Sequence, residues 1–378
     1  MRKLVIGITA PNSVVLLEGQ LKYFSDMGYE VYLLGPDHDR VSDFCKRENS
    51  IYLPVNIERE ISPWKDIKAL IKIFNHLKRI KPDLVNLSTP KMSFLAMLSS
   101  YVLGIRYRIY TCRGFRFEHE KGAKRKLLIF FEKITSALTH KVICISKSVQ
   151  DLGVDLKIFN QDKCVVINKG SSNGIPLERF SRNNITIDEI EKLRHDFSLG
   201  KDFVFGFVGR LIDRKGINEL FEAFETLYSE MANLRLLIVG PAEGNQINNK
   251  NLLTRMKQHP GIILTGVQQN VPLFMSVMDV FVLPAWWEGF GNVLIQAAAM
   301  GVPVIGTNST GVKDAVNKDY NGLLVEPKSV TQLTQAMKLL YKDNELRERL
   351  GKNGLEWAKN FENEIIWKGM EQVYNSSK

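Results

Sequence analysis

The segment PAWWEGFGNVLIQAAAMG, residues 284–301, carries the clearest indication of the fold of this chain. Residues 280–284 have the composition of a buried strand, and residues 292–300 have the pattern of a helix that ends at a glycine. Residues 302–305 are apolar again. A strand, a glycine-containing turn, a helix and a second strand make one βαβ unit, so the pattern predicts Glu288 at the carboxyl edge of a parallel sheet. Open α/β sheets bind their ligands at that edge.

The same alternation extends over both halves of the chain. Strand patterns lie at residues 4–8, 31–34, 84–87, 107–111 and 141–145, and again at 204–208, 234–239, 262–265, 280–283 and 302–305. Because strands that alternate with helices form parallel sheets, the chain is predicted to be an α/β protein with two Rossmann-like domains. A polar, glycine-containing linker at 169–184 gives the predicted bounds: a first domain at 1–184, a second at 185–355 and a C-terminal helix at 356–378.

Length and composition narrow the class of protein. A chain of 378 residues exceeds the size of one hydrophobic core, and 44% hydrophobic residues can fill two. The four cysteines have no CxxC or CxxH spacing, which favours reduced core residues over a metal site. No apolar run reaches the roughly 18 residues that a spanning helix needs, and the apolar start is predicted to be a strand.

The positive charge belongs to the first half. The net charge is +10; residues 1–180 hold 29 Lys and Arg against 18 Asp and Glu, which gives +11, and the remaining residues hold 22 against 23, which gives −1. Such asymmetry favours an anionic partner of the first half, such as membrane headgroups, a phosphorylated acceptor or nucleic acid. A solvated basic face would give the same count.

Two cations follow the first strand of the second half, in the segment FGFVGRLIDRKGI at residues 205–217. Gly209 allows a close backbone turn, and Arg210 and Lys215 precede a helix predicted to begin near Ile217. A flexible glycine, two cations and a helix start are typical of a diphosphate site. The alternative is a structural turn with solvated cations.

Glu288 is the one carboxylate within residues 284–301. The amides of residues 289–291 are predicted to face a ligand at the helix start, and the carboxylate to accept hydrogen bonds from sugar hydroxyls. Gln296 follows eight residues later, and a buried amide needs polar partners. The alternative for Glu288 is an acid that is favoured by the helix dipole. The alternative for Gln296 is a core amide whose hydrogen bonds go to the backbone.

Taken together, these motifs resemble a known family. The chain is similar to the retaining, GT-B-fold glycosyltransferases of family 4 at Gly209-Arg210, Lys215-Gly216, residues 288–291 (EGFG) with Gln296, residues 301–304 (GVPV) and residues 321–324 (NGLL). In the first half, residues 19–23 (GQLKY), 110–118 (YTCRGFRFE) and 170–174 (GSSNG) resemble bacterial members that build capsular or O-antigen repeat units on a polyprenyl diphosphate.

The resemblance implies two Rossmann-like domains facing across a cleft, with the C-terminal helix returning to the first. It implies Arg210, Lys215 and Glu288 as catalytic residues, the cations at the departing diphosphate and Glu288 at the donor sugar. UDP is the implied nucleotide, and no metal is expected because the second half has no D-x-D motif. The implied donor-binding residues are Gly209, Gly266, Val267, Gly289, Phe290, Gly291, Asn292 and Gln296.

Two positions depart from the family pattern. Gln296 stands where the family commonly has a glutamate for the ribose, and an amide is expected to make weaker or altered contacts. Arg113 stands where many members have a histidine; an arginine cannot exchange protons there but can clamp a phosphate or a sugar oxygen.

The first half is predicted to bind a lipid-linked saccharide acceptor. Cations alternate with aromatic residues at 106–131, which suits a diphosphate at an anionic membrane surface. Nucleic acid is not an expected partner, since the sequence has no recognised nucleic-acid module. The predicted acceptor-binding residues are Asn12, Ser13, Arg113, Arg116 and His119.

A helix predicted at residues 63–80 carries an apolar stripe with lysines around it. The stripe is predicted to pack on the core, with membrane insertion as the alternative. We expect a cytoplasmic protein bound peripherally at the inner face of the cell membrane. The stripe consists of Ile67, Leu70, Ile71, Phe74 and Leu77.

The predicted function is transfer of a hexose or amino sugar from a UDP-linked donor to a polyprenyl-diphosphate-linked saccharide in surface polysaccharide biosynthesis. A sugar-nucleotide epimerase of the same fold is an alternative, although it would need acid–base carboxylates and histidines, of which the sequence offers few. A non-catalytic partner subunit is another, suggested by Gln296 and Arg113. Retention of Arg210, Lys215 and Glu288 favours an enzyme.

Overall fold

The computed structural model describes residues 1–58 and 62–376, without the side chains of His119 and Asn245. The described strands are β1 (Arg2–Gly7), β2 (Tyr29–Gly35), β3 (Ile51–Pro54), β4 (Leu84–Ser88), β5 (Tyr107–Cys112), β6 (Lys141–Cys144), β7 (Cys164–Val166), β8 (Phe203–Val208), β9 (Leu234–Val239), β10 (Ile262–Gly266), β11 (Val280–Val282), β12 (Val304–Thr307) and β13 (Gly322–Val325).

Helices connect these strands. They are α1 (Gln20–Asp26), α2 (Asp39–Arg47), α3 (Pro63–Ile80), α4 (Pro90–Val102), α5 (Gly122–Ala137), α6 (Lys147–Asp155), α7 (Ile187–Asp196), α8 (Ile217–Glu230), α9 (Leu252–Gln258), α10 (Val271–Ser276), α11 (Asn292–Ala299), α12 (Val312–Ala315), α13 (Val330–Lys342), α14 (Asn344–Ala358) and α15 (Asn363–Asn375). Within the described ranges, no helix combines the length and the apolar composition needed to cross a membrane.

The chain forms two compact units. Unit 1 comprises Met1–Asn173 with Glu364–Lys378, and unit 2 comprises Gly174–Asn363. The chain leaves unit 1 inside the linker predicted at 169–184 and returns to it inside the C-terminal helix predicted at 356–378.

Unit 1 is built on a seven-stranded parallel sheet in the order β3-β2-β1-β4-β5-β6-β7. β1 pairs with both β2 and β4, so the strand order reverses between β1 and β4. An apolar core lies on each face of the sheet, one formed with α1, α2 and α15 and the other with α3 to α6. This is the doubly wound arrangement predicted from the strand and helix pattern.

The C-terminal helix belongs to unit 1, as predicted. Tyr374 is fully buried, its ring lies 4.9 Å from that of Phe24, and its hydroxyl accepts a hydrogen bond from the side chain of Asn86 at 2.6 Å. The helix predicted to run continuously from 356 to 374 is interrupted between α14 and α15. Phe361 lies in this interruption and packs in unit 2 against Phe290, with ring centroids 5.4 Å apart.

Unit 2 repeats the architecture with six parallel strands in the order β10-β9-β8-β11-β12-β13. β8 pairs with both β9 and β11, so the order reverses between β8 and β11. Ligands of open α/β sheets bind outside the carboxyl ends of the strands at such a reversal. The segment that contains Glu288 follows β11 and therefore lies at this point.

The cations and aromatic residues of 106–131, which the sequence pattern places on one surface, are separated in the structure. Phe115 and Phe117, predicted at a surface, are buried in the core, and Arg108 lies near the start of β5, away from Arg113 at its end. The prediction that the apolar stripe of α3 packs on the core is wrong in part. Leu77 is buried, but Ile67 and Ile71 are exposed. The core instead takes Ala69, Ile73, Leu77 and Ile80, which form the inner face of the helix.

Candidate functional site

A cavity of about 370 Å³ lies at the carboxyl ends of β8 and β11 in unit 2. Its walls come from the turn after β8, the segment after β11 and the first turns of α11. The lining residues are Val208, Gly209, Arg210, Arg214, Lys215, Leu283, Glu288, Phe290, Gly291, Asn292, Val293 and Gln296.

Backbone contacts bring the two loops of this cavity together. Gly216 has a φ of +72°, and a Cβ there would collide with the carbonyl oxygen of Pro284 at the end of the β11 segment. The amide of Trp286 donates to the carbonyl of Arg214 at 2.9 Å. On the other side, the amide of Glu288 donates to the carbonyl of Thr310 at 2.9 Å. Lys215 and Glu288 therefore project from loops that packing fixes in position.

Cations dominate the charge of the cavity. Nζ of Lys215 lies 2.5 Å from Oε1 of Glu288, and Nη1 of Arg214 lies 3.5 Å from the same atom. The guanidinium of Arg210 pairs with Glu243 at 3.2 Å. Glu288 thus sits among cations and not at an isolated helix terminus, so this corner can accept both an anion and a hydroxyl group.

The start of α11 places the positive end of a helix dipole beside the cations. The helix begins at Asn292 with no acidic residue in its first turn, and the amides of Asn292 and Leu294 donate to the carbonyls of Phe290 and Gly291, each at 2.9 Å. Asn292 and Gln296 are four residues apart, so both face the cavity from one side of the helix. Gln296 is half-buried and lines the cavity wall, so it is not the fully buried core amide of the alternative interpretation.

The other predicted donor residues lie outside the cavity lining. Gly266 ends β10, two strands from β8, and Val267 after it is exposed. Gly289 precedes the lining residue Phe290, and its carbonyl group lies against Gly311. Among the described residues, no three His, Cys, Asp or Glu side chains gather into a group that could hold a metal ion.

In unit 1, the predicted acceptor residues lie at the carboxyl edge of the sheet. Asn12 and Ser13 follow β1, and the side chain of Asn12 accepts from Arg40 at 2.9 Å. Arg113 and Arg116 follow β5. The side chain of His119 lies outside the described part of the chain.

Arg113 is a half-buried cation at this edge. Burial lowers the pKa of its guanidinium to about 10. Its Nη1 donates to the carbonyl of Ser172 at 3.1 Å and to the Ser172 hydroxyl, whereas its Nε has no hydrogen-bond partner in the described structure. A half-buried arginine with an unused donor suits a phosphate oxygen better than a proton-transfer role.

Thr89 is a residue of this edge that the sequence interpretation misses. It follows β4 at the strand reversal and has a φ of +77°, which is unfavourable for a β-branched side chain. Its hydroxyl is hydrogen-bonded to that of Thr9, which follows β1, at 2.6 Å. Backbone strain of this kind is concentrated at functional sites, and the pair marks the reversal point of unit 1. The segment Ser88-Thr-Pro90 is the sequence signal.

Comparison with known proteins decides the family. The model described as "Glycosyl transferases group 1" matches residues 189–357, and that described as "Glycosyltransferase Family 4" matches residues 15–179. A capsular polysaccharide biosynthesis glycosyltransferase of Staphylococcus aureus is 33% identical over 98% of this chain and 96% of its own length. The chain is a family 4 glycosyltransferase.

Other relatives of this glycosyltransferase act on lipid-linked saccharides. An Escherichia coli UDP-Gal:alpha-D-GlcNAc-diphosphoundecaprenol alpha-1,3-galactosyltransferase is 28% identical over 82% of this chain and 79% of its own length. A Campylobacter jejuni N,N'-diacetylbacillosaminyl-diphospho-undecaprenol alpha-1,3-N-acetylgalactosaminyltransferase is 22% identical over 94% of this chain and 93% of its own.

Solved structures establish the fold of the glycosyltransferase. HepE of Anabaena, solved in complex with UDP, superposes with a TM-score of 0.83 at 17% identity over 100% of both chains. A Rickettsia africae glycosyltransferase superposes with a TM-score of 0.82 at 19% identity, over 100% of this chain and 98% of its own. The predicted GT-B fold, with two Rossmann-like parallel-sheet domains, is confirmed.

Arg214 is the lining cation that the sequence interpretation of this glycosyltransferase leaves out. Its guanidinium lies 4.7 Å from the ring centroid of Trp287 and reaches Glu288, so the aromatic ring holds it beside Lys215. The adjacent Trp286 is fixed by its indole N–H, which donates to Glu219 at 2.8 Å. The sequence signals are the Arg-Lys pair before Gly216 and the Trp-Trp pair before Glu288.

Proposed function

We propose that this glycosyltransferase moves a hexose or amino sugar from a UDP-linked donor to a polyprenyl-diphosphate-linked saccharide, in the biosynthesis of a capsular or other surface polysaccharide. The observation that carries the proposal is the cavity of unit 2. Three cations, Arg210, Arg214 and Lys215, meet the start of α11 there, beside a carboxylate that is already paired.

The diphosphate of the donor fits the cationic wall. When the bond between the anomeric carbon and the diphosphate oxygen breaks, negative charge develops on that oxygen. Lys215 and Arg210 are cations of the cavity wall, and the start of α11 is the positive end of a helix dipole, so together they would stabilise this charge. Because these groups supply the positive charge at the leaving group, we propose that the reaction needs no divalent metal.

The donor sugar fits the carboxylate. Glu288 accepts hydrogen bonds but repels phosphate, so it would orient the sugar through its hydroxyls while the cations hold the diphosphate. In the proposed retaining displacement, the acceptor hydroxyl forms the new bond on the face from which the diphosphate leaves. Its proton passes to the departing phosphate oxygen, so no separate base is required.

The acceptor is assigned to unit 1 on two supports. Arg113 is a half-buried cation with an unused donor at the carboxyl edge of the sheet, which suits a diphosphate. The names of the Escherichia coli and Campylobacter relatives specify saccharides linked through diphosphate to undecaprenol. UDP is chosen as the donor nucleotide because the galactosyltransferase relative uses UDP-Gal and HepE binds UDP.

Thermal unfolding with UDP, GDP and ADP tests the donor site. A ligand at 100 times its dissociation constant adds about 2.7 kcal/mol, which corresponds to a shift of a few degrees. We expect UDP to raise the melting temperature of the parent protein and to lose this effect in Lys215→Ala. Stabilisation by GDP or ADP alone would contradict the choice of UDP, and equal UDP shifts in parent and variant would contradict the assignment of Lys215.

A further inference from the structure

Helices α3, α4 and α5 form one layer on unit 1. α4 packs against both α3 and α5, and all three contact the apolar core on the same face of the sheet. Each helix follows a parallel strand, so each begins at the carboxyl edge. The outward sides of their first turns therefore adjoin the edge at which Asn12, Ser13 and Arg113 lie.

α3 carries a second apolar stripe that points away from the core. Trp64, Ile67 and Ile71 are 81%, 49% and 55% exposed, and their spacing of three and four residues places them on one face of the helix. The inner face already supplies the residues that the core requires. The outer stripe therefore has no packing role in the described structure of unit 1.

α5 repeats this feature. Leu127 and Phe130 are 40% and 55% exposed and lie three residues apart. The ring of Phe130 is 6.1 Å from that of Phe131, which lies 4.8 Å from the ring of Phe94 on α4. Apolar side chains thus continue from the outer side of α5 onto α4.

Cations surround both stripes. The carboxylates within α3 and α5 do not offset them, because Asp66 pairs with Lys91 at 2.6 Å and Glu132 is buried against the hydroxyl of Tyr110. Two of the cations pair with acids outside the helices, Lys65 with Glu58 and Lys124 with Glu120, each at 2.7 Å. The exposed cations are Lys65, Lys68 and Lys72 around α3 and Lys121, Lys124, Lys126 and Lys133 around α5.

We propose that the outer stripes of α3 and α5, with these lysines, form a docking surface for an anionic lipid bilayer. Apolar side chains that include an aromatic anchor, with lysines at their margins, match the boundary between acyl chains and anionic headgroups. Charge also selects this occupant over a second copy of the chain. A self-complementary interface on this surface would bring the lysines of one copy close to those of the other.

The proposal gives the site of unit 1 a position relative to its substrate, and in this respect it rests on the proposed lipid-linked acceptor. Docking through α3 and α5 brings the carboxyl edge of the sheet next to the bilayer. A saccharide attached to a membrane lipid through a diphosphate would then reach Arg113 without leaving the headgroup region.

Co-sedimentation of the full chain with vesicles tests the surface. The vesicles contain phosphatidylcholine alone or phosphatidylcholine with phosphatidylglycerol, without acceptor lipid or donor. We expect binding to the anionic vesicles that weakens as salt is raised from 0.1 to 1 M. Since each lysine near such a surface contributes about fivefold in affinity, both Lys68→Glu with Lys126→Glu and Ile71→Glu with Phe130→Glu should reduce binding at least tenfold.

The control carries the same types of change on unit 2. Ile187 is 73% exposed on α7 and Lys192 lies on the same helix, so Ile187→Glu with Lys192→Glu should leave vesicle binding unchanged. Equal binding to neutral and anionic vesicles, no binding, or an equal loss in the control would overturn the proposal. Sedimentation velocity that shows a dimer separated by Phe130→Glu would assign the surface to self-association instead.

Activity in solution separates this proposal from the proposed function. Sugar transfer to a water-soluble, short-prenyl diphosphate saccharide needs no bilayer, and we expect the α3 and α5 variants to retain it within about twofold. Vesicle binding without transfer in the parent protein would reject the proposed function and leave the surface standing. Transfer without vesicle binding would do the reverse.

Discussion

Glu288 pairs with two cations of the cavity and is also the residue proposed to orient the donor sugar. Nζ of Lys215 lies 2.5 Å from its Oε1, and Arg214 approaches the same atom to 3.5 Å. A bound diphosphate would compete for these cations and weaken their hold on Glu288. The carboxylate would then be available to sugar hydroxyls at the time when the donor occupies the cavity.

Lys215→Ala and Arg210→Ala should each lower kcat by about 10²–10³, because each removes one fixed donor from the departing diphosphate. Steady-state sugar transfer measures the effect, and far-UV circular dichroism checks the fold. Arg255→Ala is the matched control, since Arg255 pairs with Glu225 on the surface of unit 2, outside the cavity. Near-normal turnover in both folded variants would remove these residues from the leaving-group site.

Glu288→Gln should affect the sugar more than the nucleotide. The amide keeps the shape of the side chain but loses its charge, so hydrogen bonds from sugar hydroxyls weaken while the cations remain to bind phosphate. We expect kcat/KM for the nucleotide sugar to fall at least 100-fold and the Kd of UDP to change by less than about fivefold. Calorimetric titration with UDP and the transfer assay provide the two values; parallel losses would contradict a sugar-facing role.

At the scale of elements, α5 carries a buried carboxyl group that makes stability depend on pH. Burial raises the pKa of Glu132 from its ordinary 4.5 to about 7, although Tyr110 donates a hydrogen bond to it. Between these values the folded protein retains a proton that the unfolded chain has released. The contribution of Glu132 to stability is therefore complete below about pH 4.5 and is lost as pH rises through 7.

Glu132→Gln removes this titration. Relative to the parent, the variant should gain about 2 kcal/mol in free energy of unfolding between pH 5 and pH 8, since one unit of pKa corresponds to about 1.4 kcal/mol. Urea unfolding at the two pH values measures the difference. Glu191→Gln, on the exposed side of α7, is the control. The same pH dependence in parent and variant would show that Glu132 does not titrate in this range.

Elements with a strong apolar pattern are predictable from this sequence, and the exceptions have physical causes. The sequence pattern does not predict β3, β7 and β13, because they are short edge strands of three or four residues with partly exposed side chains. The interruption between α14 and α15 is not predicted either, because residues 356–374 keep a helical pattern across it. Packing causes that break: Phe361 is buried in unit 2 whereas Ile366 is buried in unit 1.

The same distinction holds for the site. Arg210, Lys215 and Glu288 can be found because glycines and helix starts accompany them in sequence, and the cavity brings all three together. Arg214 is harder to find, because its contacts with Trp287 and Glu288, both distant in sequence, appear only in the folded structure. Thr89 is indicated in the sequence only by the segment Ser88-Thr-Pro90, and its strain is shown by the backbone angle.

At the scale of the whole molecule, the half proposed to bind the acceptor and the half proposed to bind the donor differ in net charge. Residues 1–180 carry a net charge of +11, whereas the remainder carries −1 and places three of its 22 Lys and Arg residues, Arg210, Arg214 and Lys215, at one cavity. Long-range attraction therefore belongs to the half proposed to receive the lipid-linked acceptor. The proposed donor site would act through a few close contacts, which salt screens less.

Raising the ionic strength should therefore affect the two substrates unequally. Between 0.05 and 0.5 M NaCl, we expect the KM for an acceptor embedded in anionic vesicles to rise at least tenfold and the KM for the donor to rise less than about threefold, because exposed charges lose most of their attraction once the Debye length falls below about 10 Å. Initial rates with one substrate held saturating give each value. A short-prenyl acceptor in solution serves as the control and should show only the smaller change. A donor KM that rises as steeply as that of the vesicle-bound acceptor would mean that the cavity also depends on long-range charge, and the separation of roles between the two halves would fail.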